Sequence, residues 1–419
     1  MKPLWFIWCV VGVFAIAGFP VAALIDQDGI FHALTARVAP RFVNLAYLWT
    51  CISFAIVLIV AMLCRAHRNH DKFLSKPLPQ QRKGYYFHAW LLLTGSSLLV
   101  STYLFIATGF RLPLLNLLAD PTSYLLLRTE ARANISQTLL NINLVFLCPL
   151  SICLAAFFIE RGRFLKVLIA IVNTLLAASF SLAKSPIAMA LLVVIVFYAF
   201  LRPIPIFKLG RYGFLMLAVM IPLFMASGSG REDWSGERSV VEILGGRIFY
   251  GQWAGLPYFF KIFEKDRVSI GTLQPRYLRS GEGGSWSHRG EELPARQAMR
   301  EITGYRDLES AGVGVAVTYF IGEAYAVWGE FGIVLASVLV GLQIALLASV
   351  FARLPRTVWT MFLYAWFIYK MTMGMITGAS AFLFSATTYL LLLIALITYL
   401  THVAREIAQA DTSDRASCA

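Results

Sequence analysis

The residues best suited to chemistry are two carboxylates in an apolar stretch, Tyr319-Phe-Ile-Gly-Glu-Ala-Tyr-Ala-Val-Trp-Gly-Glu-Phe-Gly332. Glu323 and Glu330 are seven residues apart, so a continuous helix would place both on one face. A carboxylate at a membrane boundary can act as a base toward a hydroxyl group. Glu330 also has a structural explanation, because the helix dipole stabilises an acid near a helix N-terminus. We therefore predict that Glu323 is the base.

Three basic residues are candidates for binding an anion. Arg128 and Arg132 are four residues apart, so on a helix they share a face and could hold a diphosphate between two guanidinium groups. Lys184 precedes a Ser-Pro pair that suits the N-cap and first position of a new helix. A lysine beside a helix N-terminus makes an anion site. Each of these side chains could instead extend to lipid headgroups.

Other polar residues carry less specific signals. Asp26 and Asp28 form an Asp-x-Asp pair that could ligate a metal or act as a base, although a solvated turn is the commoner reason. Lys370 lies inside an apolar stretch, where it either faces a cavity or extends to headgroups. The six cysteines form no cluster with metal-ligand spacing, so neither a metal nor another cofactor is expected.

The composition places these residues in a membrane protein. Of the 419 residues, 58% are hydrophobic and 14% are charged, compared with about 25% charged residues in soluble domains. The mean hydropathy is +0.69. Long stretches lack Lys, Arg, Asp and Glu, and many approach the roughly 20 residues that a membrane-spanning helix needs. Soluble, fibrous and disordered classes are therefore excluded.

The pattern predicts an all-α polytopic integral membrane protein with about ten transmembrane helices. These spans are 4–24, 44–64, 89–109, 138–159, 164–182, 186–201, 213–228, 331–351, 357–376 and 381–402. Basic residues concentrate in the short segments 65–83, 160–166, 202–211 and 353–356, which all fall on one face. The positive-inside rule makes that face cytoplasmic, so both termini are cytoplasmic and residues 405–419 form a tail.

One large extracytoplasmic segment, 229–330, separates the seventh and eighth helices, and so divides membrane helices 1–228 from 331–404. Aromatic residues within 240–263 predict an interfacial helix lying along the membrane; they are Phe249, Tyr250, Trp253, Tyr258 and Phe259. Residues 264–310 are polar and partly glycine-rich, and are predicted to be mobile. The arginines of this segment contribute to the net charge of +13, which points to an anionic ligand at the membrane surface rather than nucleic acid.

The motif Gly322-Glu323-x-Tyr325-x₃-Gly329-x₂-Gly332, followed by an apolar span ending Val340-Gly341-Leu342, resembles the Wzy-type O-antigen and oligosaccharide repeat-unit polymerases. The basic Lys184 after the fifth span, Arg247 in a semi-apolar segment and the large outward loop are also similar. The family often has Ser-Arg where this chain has Ala183-Lys184. O-antigen ligases share the architecture but typically carry a His in the motif, and no His occurs between 289 and 401.

The resemblance implies a metal-independent membrane glycosyltransferase of the bacterial inner membrane. It would polymerise polyprenyl-diphosphate-linked repeat units of an O-antigen, capsule or exopolysaccharide, transferring the growing chain to a new lipid-linked repeat on the periplasmic face. Glu323 would be the catalytic base, and the substrate-binding residues would be Arg128, Arg132, Lys184, Arg247 and Tyr325. The expected partners are the lipid-linked oligosaccharide and membrane lipids, with a chain-length regulator protein as a further candidate.

Three alternatives stay open on the sequence. A glycosyltransferase that uses a polyprenyl-monophosphate sugar would act through Asp26 and Asp28, although the first outer loop is short for such enzymes. An O-antigen ligase is disfavoured by the missing His. A lipid-linked glycan flippase or transporter is disfavoured by the large outer segment and by the lack of visible internal duplication.

Overall fold

The computed structural model describes residues 2–18, 37–78, 83–109, 136–158, 163–180, 184–202, 205, 255–273, 287–288, 291–304, 318–378, 393–394 and 396–401. These residues are mostly helical, as the all-α prediction requires. A 3₁₀ turn spans Ile270–Leu273, and a short antiparallel pair joins Ser287–His288 to Glu291–Glu292. In that pair Ser287 is opposite Glu292, and His288 is opposite Glu291.

The helices are labelled in chain order. They are α1 (Trp5–Gly12, continued by the π-helical turn Val13–Ala17), α2 (Pro40–Leu63), α3 (Ala66–Ser75), α4 (Lys83–Ala107), α5 (Gln137–Ile142), α6 (Cys148–Phe158), α7 (Arg163–Ser179), α8 (Lys184–Leu201), α9 (Gly255–Ile262), α10 (Pro294–Thr303), α11 (Tyr319–Arg353) and α12 (Val358–Thr377). A π-helical segment, Asn143–Leu147, joins α5 to α6.

Three stretches of the described chain are helical, long and apolar enough to cross a membrane. They are Pro40–Leu63, Tyr86–Ala107 and Tyr319–Arg353. Shorter apolar helices cover Asn143–Phe157, Leu165–Ser179 and Leu192–Leu201. The long helices also expose large apolar side chains such as Leu63, Leu92 and Leu99, which suits contact with lipid.

The predicted spans lie close to the described helices along the chain, but several differ from them in length or continuity. The eighth span was predicted at 331–351, whereas α11 begins at Tyr319 and is broken at Gly329. The predicted span 138–159 contains the π-helical segment between α5 and α6. Segment 65–83, predicted as a basic loop, contains α3. The span 213–228 lies outside the described residues, and the count of ten stays a prediction.

The chain divides into two compact units. The first unit is Met1–Pro3, Leu78–Arg238 and Thr357–Tyr369, and the second unit is Leu4–Pro77, Ser239–Arg356 and Lys370–Ala419.

A buried polar network joins the helices of the first unit. Ser97 of α4 donates to Oδ1 of Asn143 at 2.5 Å, and Nδ2 of Asn143 donates to Oγ of Ser101 at 3.1 Å. Nδ2 of Asn173, on α7, donates to Oγ of Ser97 at 2.7 Å. Polar side chains of membrane helices bond across helices because unsatisfied groups are costly in hydrocarbon. This network therefore holds α4 and α7 against the π-helical segment that contains Asn143.

The second unit is built on α11, which packs against α2 and α3. A Cβ atom at Gly341 would lie 2.8 Å from Cβ of Val60 on α2, so the missing side chain allows the two helices to approach closely. Asn69 of α3 donates to Ser349 of α11 at 2.7 Å. Arg356, just after α11, donates to the carbonyl oxygens of Leu74 and Lys76, which ties the end of α3 to the end of α11.

The aromatic segment before residue 264 is described only from Gly255 onward. Its described helix, α9, is only eight residues long, and Tyr258 and Phe259 are buried inside the second unit. These two side chains are covered by protein, and the placement of the helix along the membrane stays a prediction. The helix packs against α2, α10 and α11. Phe249, Tyr250 and Trp253 lie outside the described residues.

Candidate functional site

The candidate site lies in the first three turns of α11, where the Glu323 motif is found. Glu323 is 8% exposed, whereas Glu330 is exposed. The two do not share a face, because Gly329 has φ 66° and ψ −147° and interrupts the helix between them. That backbone conformation is open to glycine and strained for other residues. The predicted pair of carboxylates is thus corrected to a single buried carboxylate.

The Glu323 carboxylate lies against the backbone of Gly378, just after the end of α12. A Cβ atom at Gly378 would lie 3.0 Å from Cδ and Oε1 of Glu323, and 3.1 Å from Oε2. Tyr319, one helical turn before Glu323, is buried and has φ 49°, which is uncommon for a bulky residue. Strained backbone and buried acids are both typical of functional sites.

Tyr325 is packed between two other side chains of the second unit. Its ring centroid lies 4.1 Å from that of Phe260 on α9, with 28° between the planes. The guanidinium carbon of Arg267 lies 4.4 Å from the same centroid. A ring and a guanidinium group cannot both occupy one face at these distances, so they cover opposite faces of Tyr325. Tyr325 is also almost fully buried, and its predicted binding role stays a prediction.

Arg267 stabilises the break in α11. It donates to the carbonyl oxygen of Tyr325 at 2.9 Å, and the neighbouring Val268 N–H donates to the carbonyl oxygen of Ala326 at 3.0 Å. A break in a helix leaves carbonyl groups without intrahelical donors, and these two bonds supply them. A Cβ atom at Gly329 would lie 2.9 Å from the Arg267 guanidinium, so an added side chain would press on that group.

Sequence reasoning missed Arg267 because residues 264–310 were predicted to be mobile. The described parts of that segment are held by specific contacts. Lys261 and Glu301 form an ion pair at 2.7 Å between α9 and α10, and Arg41 at the start of α2 contacts Glu264 at 3.2 Å. On α9, burial raises the pKa of Tyr258. The positive charge of Arg37 lowers that pKa, but by less. The Glu-Lys-Asp-Arg267 sequence gave no signal of its own, since the contacts of Glu264 and Arg267 come from α2 and α11.

Glu323 and Tyr325 face different directions. Residues two positions apart on an α-helix are separated by about 200° around its axis. Glu323 accordingly faces Gly378, whereas Tyr325 faces Phe260 and Arg267. A base and an anion-binding group must act on the same reacting centre, so Arg267 is a structural residue rather than the charge partner of Glu323.

The remaining predicted residues are only partly described. Arg128, Arg132 and Arg247, and the Asp26 and Asp28 pair, lie outside the described residues. Lys184 was predicted to precede a new helix, but α8 begins at Lys184 itself. Lys370 lies on α12 and is half-buried. Among the residues that the structure describes, no group of three or more His, Cys, Asp or Glu could hold a metal ion.

The fold and site define a predominantly helical protein with a buried carboxylate in a broken apolar helix. No protein-family model, no curated protein and no solved structure matches this chain.

Proposed function

We propose that the protein is a polymerase of polyprenyl-diphosphate-linked oligosaccharide repeat units, acting at the periplasmic face of a bacterial inner membrane. The growing glycan is transferred from its lipid carrier to a hydroxyl group of a newly delivered lipid-linked repeat. The bond between the sugar and the carrier diphosphate breaks, and the diphosphate leaves with the electron pair. The acceptor oxygen forms the new glycosidic bond and gives its proton to the base.

The observation that carries the proposal is the buried Glu323 carboxylate. Burying an ionisable group in an apolar helix is costly, and such residues in membrane proteins are functional candidates for that reason. A general base for a sugar hydroxyl is a role that requires a carboxylate.

The leaving diphosphate needs positive charge as it departs. We assign that role to Arg128, Arg132, Lys184 and Arg247. Because the diphosphate is already a good leaving group, the reaction requires no nucleotide sugar. The catalytic contribution of the protein is then to position two lipid-linked substrates, to accept a proton at Glu323 and to stabilise the diphosphate.

Deletion of the gene tests the proposal in cells. The expected result is surface polysaccharide that carries a single repeat unit, with full-length chains restored by the wild-type gene. Normal chain lengths in the deletion strain would contradict it. Complete loss of lipid-linked repeats at the periplasmic face would instead favour a flippase, and full-length polymer left on its carrier would favour a ligase.

A second test of the proposal measures chain extension by purified protein in vesicles. We expect it to convert lipid-linked single repeats into longer lipid-linked chains when no metal and no nucleotide sugar are added. A requirement for a polyprenyl-monophosphate sugar, abolished by Asn at both Asp26 and Asp28, would favour the other class of glycosyltransferase.

A further inference from the structure

Gly378 closes the last turn of α12 and meets the Glu323 side chain there. Its N–H donates to the Gly374 carbonyl oxygen at 3.1 Å, and its φ is 155°, which L-residues rarely adopt. Both residues belong to the second unit, and both are buried. The Glu323 carboxylate therefore lies against the backbone at the end of α12.

The contact is tighter than a residue with a Cβ atom would normally make. The space that a Cβ would occupy lies 3.0–3.1 Å from all three carboxyl atoms of Glu323. Unstrained contacts between carbon atoms lie at about 3.5–4.0 Å, so a methyl group here would displace the carboxylate by several tenths of an ångström. The position of the carboxylate thus depends on residue 378 as well as on α11.

We propose that Gly378 is a positioning residue for Glu323, and that its backbone determines where the carboxylate lies relative to the acceptor hydroxyl. This inference rests on the proposed polymerase function. Proton transfer requires the base within about 2.6–3.2 Å of the hydroxyl oxygen. Displacement of a reacting group by about 1 Å can lower a rate about 100-fold.

Two effects of a Gly378→Ala substitution have to be separated. Strain from the backbone conformation is independent of Glu323, whereas steric conflict with the carboxylate disappears when the Glu323 side chain is removed. A double-mutant cycle of Gly378→Ala and Glu323→Ala isolates the second effect. Gly95→Ala is the matched control, since a Cβ at Gly95 in α4 would meet no atom within 4 Å among the described residues, apart from its chain neighbours and the nearby backbone of its own helix.

The first experiment measures thermal unfolding of the purified protein in detergent. We expect Gly378→Ala to lower the melting temperature in the wild-type background, and to lower it less in the Glu323→Ala background. Gly95→Ala should cause the same small shift in both backgrounds. Equal effects of Gly378→Ala in both backgrounds would overturn the inference, whatever reaction the protein catalyses.

The second experiment measures chain extension in vesicles, and its first comparison needs only the Glu323→Asp variant. Glu323→Asp keeps the carboxylate but withdraws it from Gly378 by about one bond length. We expect kcat to fall about 100-fold with KM within a factor of two, and Gly378→Ala to be better tolerated in this background. Wild-type kcat for Glu323→Asp would refute positioning while leaving the polymerase function intact. Absence of extension by the wild-type protein would refute the function but not the contact measured by unfolding.

Discussion

The guanidinium carbon of Arg267 lies 4.4 Å from the centroid of the Tyr325 ring, and the same side chain donates to the Tyr325 carbonyl oxygen at 2.9 Å. One arginine from the segment after α9 thus holds both the side chain and the backbone of a residue just before the break in α11. The break separates a buried Glu323 from an exposed Glu330. The part of α11 before Gly329 and the part after it therefore point their side chains in different directions.

Removing the Arg267 side chain should destabilise the second unit. We expect Arg267→Ala to lower the free energy of unfolding by about 1–3 kcal/mol, because it removes a cation–π contact and a charged hydrogen bond to a helix carbonyl. Arg267→Lys should recover only part of this loss, since a lysine cannot stack on Tyr325 and bond to the carbonyl in the same way. Unfolding in detergent measures both variants. The control is Lys265→Ala, at an exposed neighbouring position, and an equal loss there would contradict the assignment.

Substitutions at Glu323 and Glu330 form a matched pair that tests which glutamate is the proposed base. Glu323→Gln keeps the size of the side chain but removes the group that accepts a proton, so chain extension should fall about 10²- to 10⁴-fold. Glu330→Gln should extend chains at close to the wild-type rate because Glu330 is exposed beyond the break. The rate of polymer formation by purified protein in vesicles is the measurement. Wild-type rates for Glu323→Gln would leave Glu323 as a packing residue of the motif.

The predicted role of Lys184 depends on its charge rather than on its shape. We expect Lys184→Arg to keep substantial activity. Lys184→Ala should lose about 10- to 150-fold, which corresponds to the roughly 1.5–3 kcal/mol of a charge-assisted hydrogen bond. Lys166 is a suitable control, since its ammonium group lies over the Phe87 ring at 4.5 Å. Lys166→Ala should leave the extension rate unchanged. Equal activity of Lys184→Ala and the wild-type protein would remove Lys184 from the site.

The buried polar network of the first unit should contribute to stability independently of Glu323. Asn143→Ala removes the bonds that join Asn143 to Ser97 and Ser101, and we expect a loss of about 1–2 kcal/mol in the free energy of unfolding. Thr102→Ala is the control, because Thr102 is exposed and bonds only to the Leu98 carbonyl of its own helix among the described residues. A similar loss for both variants would show that the network does not join the helices. Chain extension by Asn143→Ala, normalised to folded protein, should be unchanged.

Much of the helical framework could be predicted because the signal is local. The charge-free stretches near α2, α4 and α11 locate the three long apolar helices, since membrane-spanning segments are recognised by their own hydropathy. The motif around Glu323 could also be found, because an acid in such a stretch is conspicuous by itself. The extension of α11 back to Tyr319 was missed because Glu323 and Glu330 interrupt the hydrophobic pattern there.

The sequence by itself determined a helical chain with long apolar segments and identified Glu323 as its most unusual acid. Only the tertiary structure decided that Gly329 breaks α11, that Arg267 covers Tyr325 and that Glu323 lies against Gly378. Gly378 is 55 positions from Glu323, and Arg267 is 58 from Tyr325. The physical reason is that hydropathy is a property of each segment, whereas a close contact depends on how distant segments pack. A glycine can serve either as a conformational break or as a contact surface, and the packing around it selects between them.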